Sequence, residues 1–198
     1  MKLLKILLEQ EKILVPRRIK EREKNRLRAT QQKIQQYIKD GSKGDLDLRD
    51  TSVTSLPDNL KSVGGTLNLY DTPITSLPDN LKSVGGDLVL TGTLIASLPN
   101  NLEYVGGDFD LQGTPIKSLP DNLKSVGGDL WLIDSSISSL PDNLKVGGTL
   151  ALSGIHIKSL PDNLKVGKNL YVFKSPLAEK YTDEEIRNLA DIGGKIHR

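Results

Sequence analysis

Gly65-Thr66-Leu67-Asn68-Leu69-Tyr70-Asp71-Thr72-Pro73-Ile74-Thr75-Ser76-Leu77-Pro78-Asp79-Asn80-Leu81-Lys82-Ser83-Val84-Gly85 is one unit of a repeat, and the fold follows from how it is read. Leu67 and Leu69 alternate with polar neighbours, the period of a strand with one buried face. Ile74, Leu77, Leu81 and Val84 supply four more apolar side chains as the chain turns back. Pro78 has no N–H to give a ladder, so the return leg is predicted as a turn or a short extended or 3₁₀ piece with no room for a helix. Gly64-Gly65 and the copies at 85–86, 106–107, 127–128 and 147–148 supply either positive dihedrals or room for a corner into the next strand.

The unit recurs. The leucine of Ser-Leu-Pro stands at Leu56, Leu77, Leu98, Leu119, Leu140 and Leu160, spaced 21, 21, 21, 21 and 20 residues, the short interval arising because Lys145-Val146 lacks the serine of Lys124-Ser125-Val126. Six inward apolar groups, each contributing roughly 1.5 to 3 kcal/mol when fully buried, cannot be hidden by one such unit, and stacking its neighbours hides them. The prediction is a β-dominated solenoid of about seven parallel coils over residues 44–177, with strands about 4.8 Å apart, between α-helical N- and C-terminal caps.

The pattern Leu-x-Leu-x-x-Thr-x-Ile-x-x-Leu-Pro-x-x-Leu resembles a short bacterial-type leucine-rich repeat, and the Ser-Leu-Pro-Asp-Asn-Leu variety with a Gly-Gly corner is similar to repeat proteins encoded by bacteriophages and some bacteria. The resemblance implies a non-catalytic module that binds a protein, of host or viral origin, through the concave strand face. Thr72, Thr93, Thr114 and Ser135 stand where that family places an asparagine that bonds backbone along the stack, and the resemblance implies that their hydroxyls do part of that work. Bacterial effector ubiquitin ligases carry similar Leu-Pro repeats but depend on a catalytic cysteine, which this chain lacks.

Composition narrows the chemistry. Zero cysteines exclude disulfides, thiolate metal sites and cysteine nucleophiles, and two histidines are too few for a histidine-rich centre. The Gly-Gly pairs follow the repeat period and match no phosphate-binding or dinucleotide motif. Neighbouring aspartates without a deep cleft lack the burial that would tune one as an acid. No enzyme activity, cofactor or metal is therefore expected. A partial acidic ladder, Asp45, Thr66, Asp87, Asp108, Asp129 and Thr149, precedes the first core residue of each coil. Its members are expected to remain in solvent and bond corner amides, because too few oxygens gather in one coil to hold a cation.

The ends differ from the middle. Residues 1–43 hold 13 basic and 5 acidic side chains, and residues 44–198 hold 14 and 20, so a +8 segment precedes a −6 one. The first segment reads as a helical cap. Leu3, Leu4, Leu7 and Leu8 form the stripe of a first helix, broken at Val15-Pro16, and a second helix runs from Arg17 to Lys39 with Ile19, Leu27, Ile34, Tyr37 and Ile38 as its inner face. Its basic residues, Arg17, Arg18, Arg22 and Arg26 among them, make nucleic-acid binding the alternative function, with the repeats as a spacer, and a purely structural or assembly protein is the third reading. Residues 178–198 read as a C-terminal cap. Thr182-Asp183-Glu184-Glu185 is a capping box, Ile186, Leu189 and Ile192 follow at helical spacing, and Gly193-Gly194 is the stop. The apolar opening is too short and too charged for a signal or a span, which leads to the expectation of a cytoplasmic monomer without membrane contact.

Candidate binding residues come from the strand positions that point away from the core. One outward column runs Asp47, Asn68, Val89, Asp110, Trp131, Ala151, Tyr171, and the next runs Arg49, Tyr70, Thr91, Gln112, Ile133, Ser153, Phe173. Both vary while the inward columns barely change. Tyr70, Val89, Gln112, Trp131, Ile133, Tyr171 and Phe173 are the predicted protein-binding residues. Trp131 and Ile133 lie two coils from Tyr171 and Phe173, about 10 Å away, across a dip over Ala151 and Ser153.

Overall fold

The computed structural model describes the backbone of residues 2–198 and the side chains of residues 19–198. The chain opens with one helix, α1 (Lys2–Lys39), and then winds through β1 (Leu46–Asp47), β2 (Ser62–Val63), β3 (Leu67–Asn68), β4 (Ser83–Val84), β5 (Leu88–Val89), β6 (Tyr104–Val105), β7 (Phe109–Asp110) and β8 (Ser125–Val126). It continues through β9 (Leu130–Trp131), β10 (Lys145–Val146), β11 (Leu150–Ala151), β12 (Lys165–Val166) and β13 (Leu170–Tyr171), then α2 (Pro176–Lys180), α3 (Asp183–Leu189), β14 (Asp191–Ile192) and β15 (Ile196–His197). Odd-numbered strands form an eight-stranded parallel sheet, and even-numbered strands form a seven-stranded one running alongside it. From β1 to β13 the chain completes six turns, and a last, longer turn carries the two short helices. The predicted parallel β-solenoid of about 21-residue coils is the observed fold, in register leucine to leucine: Leu46, Leu67 and Leu88 pair in sequence.

The second sheet is a finding that the sequence reading stopped short of. The dipeptide ending in valine before each corner, Ser-Val in three coils, Tyr104-Val105 in one and Lys-Val in two, is a strand, so each coil makes two ladders, and Ser62-Val63 pairs with Ser83-Val84 as regularly as the leucines do. Between the ladders lies the predicted core. In the second coil Leu67, Leu69, Ile74, Leu77, Leu81 and Val84 are all buried. The Pro-Asp-Asn step is a turn closed by the leucine amide on the proline carbonyl three residues back, as in Leu81 to Pro78 at 3.0 Å.

The glycine pairs are there for room. None of them takes a positive φ; those angles occur at Gly92, Gly113 and Gly154 and at Asp50, Asp71, Asp134 and Lys174, which turn the opposite corner of the coil. A Cβ on Gly106 would run into the Gly85 carbonyl oxygen and sit 2.8 Å from the carbon behind it, because corners stack backbone on backbone. A Cβ on the second glycine meets the ladder side chain of the coil before, Asp87 at Gly107 and Asp108 at Gly128. Those aspartates accept from corner amides as expected: Asp87 from Asp108 N at 2.8 Å, Asp108 from Asp129 N at 2.7 Å, and Asp129 from Thr149 N at 2.7 Å.

Four local expectations are corrected. Thr72, Thr93 and Thr114 are buried, but each hydroxyl donates to the carbonyl three residues back in its own coil, at 2.8, 2.7 and 2.7 Å, so none bonds along the stack. Side-chain bonds along the stack come instead from the ladder aspartates and from the turn asparagines, as where Asn101 Nδ2 donates to Asp79 O at 2.8 Å. At the N-terminus the helix does not break at Pro16: proline removes one bond from a ladder that strong helix formers on both sides continue, and α1 runs through. Its inner face is shorter than predicted. Ile34 is buried, Tyr37 and Ile38 pack beside it and Leu27 is half-buried, whereas Ile19 is 50% exposed because the solenoid does not reach that far along the helix. The side chains of Leu3, Leu4, Leu7 and Leu8 lie outside the described residues.

At the other end the capping box is present, Thr182 with Glu185, and Ile186 is buried, but α3 stops at Leu189, which is 40% exposed. Ile192 belongs to a strand, and Gly193-Gly194 is one more corner, because Ile192-Gly193-Gly194-Lys195-Ile196-His197 repeats the form of Val126-Gly127-Gly128-Asp129-Leu130-Trp131. The cap is thus a last coil with helices in its return leg.

Candidate functional site

The outward residues of the larger sheet form a continuous face whose character changes along the stack. In the early coils it is polar and tied to itself. Asp47, Asn68 and Asp110 each accept from the amide two residues on, at 3.2, 3.0 and 3.0 Å, and Arg49 pairs with Asp47 at 2.8 Å. From Trp131 onward no outward side chain of the first column is an aspartate or asparagine, and the face becomes aromatic.

The predicted residues fall as follows. Tyr70 is exposed in the second coil, Val89 half-buried in the third and Gln112 half-buried in the fourth. The fold leaves these three on separate coils, Tyr70 and Val89 away from the aromatic end and Gln112 bordering it beside Ile133. Trp131 and Ile133 are half-buried in the fifth coil, and Trp131 stands between the fully buried Leu130 and Leu132, so the indole lies outside the stack. Tyr171 and Phe173 come together in the seventh coil with ring centroids 6.1 Å apart, and Phe173 stays 42% exposed. Ala151 stands in register between Trp131 and Tyr171 and is buried by these larger neighbours, while Ser153 beside it remains half-exposed, so the expected dip survives only in the second column.

His197 is the residue that the sequence reading missed. As part of β15 it lies in register with Tyr171, and the two rings stack at 4.3 Å between centroids and 9° between planes. The signal was the Gly-Gly at 193–194 followed by an alternating tripeptide, the same form as every strand before it. The terminal segment therefore extends the aromatic column and does not fold across it.

The alternative site is less defined. Arg22 and Arg26 are exposed on α1, with Lys20, Lys24 and Arg28 exposed beside them, and the side chains of Arg17 and Arg18 lie outside the described residues. A broad concavity along the later part of the helix is lined by Arg28, Gln32, Gln36 and Lys39, far from the aromatic face. No described group of three or more histidines, aspartates and glutamates gathers closely enough to hold a metal ion, and no described helix is long and apolar enough to cross a membrane.

On the smaller sheet Lys124 bonds Glu103, which holds that carboxyl below the usual carboxylate range and raises the lysine, and the ammonium lies 5.4 Å from the Tyr104 ring centre. Both groups are in solvent, so the pair is a surface contact of small consequence for stability.

No protein-family model matches the chain, and no curated protein sequence matches it. The functional reading therefore rests on the face itself.

Proposed function

We propose that the protein is a non-catalytic protein-recognition module of the short leucine-rich-repeat type, which binds its partner through the outward face of the larger sheet, centred on Trp131, Ile133, Tyr171 and Phe173. The observation that carries this reading is the contrast between columns. The inward positions repeat leucine, isoleucine and valine coil after coil, as packing requires, while the pair of outward residues changes from each coil to the next and ends in partly exposed aromatic groups. Aromatic side chains offer large contact area at low entropy cost, which makes such clusters frequent binding hot spots. The resemblance to repeats of bacteriophages and bacteria supports a cytoplasmic protein acting on a host or viral partner, as a monomer and without cofactor.

The test is affinity capture from host lysate with the wild type and a Trp131→Ala, Phe173→Ala double variant of unchanged circular dichroism. Loss of the captured protein is expected, and undiminished capture would refute the site.

A second reading is favoured by one observation, the exposed basic side chains of α1, Lys20, Lys24 and Arg28 on one side of the helix and Arg22 and Arg26 on the other, which fit binding to nucleic-acid phosphates. It requires an affinity that falls steeply with salt, and a slope that flattens on charge reversal at Arg17, Arg18, Arg22 and Arg26.

A further inference from the structure

Each coil of the smaller sheet presents two outward positions, one on either side of its buried valine. The second is a corner glycine throughout, and Gly127, Gly147 and Gly167 stand exposed in line in the later coils. The first position differs from coil to coil. Three of the 21-residue coils have serine there, Ser62, Ser83 and Ser125, whereas both 20-residue coils have lysine, Lys145 and Lys165. Lys145 pairs in register with Ser125 and not with Lys124, so the missing residue moves a lysine from the end of the turn onto the strand. The turn takes up the shortage at Asn143 and Asn163, whose φ angles of 60° and 58° no turn asparagine of the longer coils adopts. Asparagine bears this left-handed angle better than most residues.

The two lysines turn the line of glycines into a groove of about 490 Å³, largely apolar, with Gly147 and Gly167 on its floor and Lys145 and Lys165 as one wall. Lys168 stands exposed on the far side, at the place where the other corners have their second glycine. The acidic ladder has ended by this point, since Thr149 and Asn169 follow Asp129 and carry no charge. Among the described residues Lys145 and Lys168 form no ion pair, and Lys165 has only exposed Asp191 at 3.9 Å. Asp142 and Asp162 stand exposed on the preceding turns, and no ion pair joins them to the lysines. Cations thus border the groove on both sides and remain available.

From this charge pattern we propose that the groove binds an extended segment of a partner protein in which acidic residues flank an apolar side chain. The apolar group lies over Gly147 and Gly167, and the carboxylates meet Lys145 and Lys165 on one side and Lys168 on the other. The groove is shallow and open along its length, so it would leave most of a small molecule in water, whereas an extended chain can follow it. The Gly147 and Gly167 amides already donate to the Val126 and Val146 carbonyls at 2.8 Å, so the floor offers an anion no donor. That favours an apolar group on the floor, with charge only at the rims, over a phosphate backbone, whose contacts are hydrogen bonds from amides and cations. The site belongs to the smaller sheet and does not depend on the reading of the aromatic face.

The probe is the blocked peptide Glu-Glu-Leu-Glu-Glu, titrated into the full chain and followed by NMR. Shifts at Gly147 and Gly167 are expected, with an affinity that falls about fivefold between about 50 and about 300 mM salt. Lys145→Ser with Lys165→Ser installs the residue of the longer coils and should weaken binding about fivefold, while Lys145→Arg with Lys165→Arg should keep it. Ser125→Lys lengthens the wall and should tighten binding about twofold. Replacing the leucine of the probe by serine should weaken it about fivefold. Equal binding by the double serine variant, equal binding of the serine probe, or shifts confined to Lys20–Arg28 of α1 would each overturn the proposal. Tighter binding of a thymidine pentanucleotide would overturn it in favour of nucleic acid, and shifts at Gly147 and Gly167 that grow with protein concentration without peptide would make a second copy the occupant. The Trp131→Ala, Phe173→Ala double variant should bind the probe as the wild type does, so failure of the groove and failure of the aromatic face are told apart.

Discussion

The two ends of the solenoid solve one problem in different ways. The N-terminal end is covered by a separate element: the last turns of α1 bury Ile34 on the first coil and bring Lys33 and Tyr37 to its open backbone groups. The C-terminal end is covered by the coil itself, whose return leg becomes α2 and α3, buries Leu177 and Ile186, and carries Arg187 back to its own edge. The core column there stops on Arg198, whose guanidinium bonds Ala178 O and lies 3.7 Å from Asp183. A solenoid end can thus be covered by a neighbouring element or by a coil altered from within.

The comparison presupposes a continuous interior, and the largest effect comes from breaking it. Gly106→Ala forces a methyl into the Gly85 peptide and should cost about 3 kcal/mol, splitting the single unfolding transition so that the two ends melt apart. Truncating each end's anchor comes next. Ile34→Ala and Ile186→Ala each delete a buried side chain and should cost about 2 to 4 kcal/mol. Local hydrogen exchange should rise in β1 and β2 for the first and in β12 and β14 for the second; a common response across the stack would mean that the ends do not fray independently. Arg187→Met leaves the Ile192 and Gly194 carbonyls to water and should cost about 1 kcal/mol, read as faster exchange at Gly193 and Gly194 with the N-terminal coils unchanged.

The smallest difference is in pH response, and the ends should respond in opposite directions. Burial raises the Tyr37 hydroxyl above its ordinary value of 10.0, assisted by the Asp45 charge and opposed by the Gly64 amide. Its contribution is complete below the unfolded value and is lost as pH rises through the folded one, so the N-terminal end should loosen above about pH 10. Glu185 is held below its ordinary 4.5 by the Thr182 backbone and hydroxyl bonds of the capping box. Its contribution is present above that value and is lost as pH falls through the folded one, so protection of α3 should decline in acid. Tyr37→Phe should remove the first response and Glu185→Gln the second, each checked by exchange at the two ends.

How much of this was legible differs by position. The core was, since Leu67, Leu69, Ile74 and their copies occupy places that only stacking can bury. The aromatic column was also legible up to Tyr171, because strand alternation alone assigns each residue a side. The second sheet was not, since a Ser-Val dipeptide is too short to display alternation. His197 was hidden by the capping box: a sound helix start at Thr182 invites the helix to be carried on to Ile192, and only the seven-residue length of α3 shows that Gly193-Gly194 resumes the coil.

By itself the sequence determined the period, the inward and outward sides and the parallel stacking, because these depend on spacing and on the cost of leaving six apolar groups per coil in water. Tertiary structure alone decided why the corners are glycine, how far α1 engages the stack and which backbone edges are closed. Those outcomes turn on contacts that only the stacked fold creates, such as Gly85 with Gly106, where one backbone lies on another, or Lys33 with Asp47 of the first coil, where a helix side chain reaches a strand carbonyl.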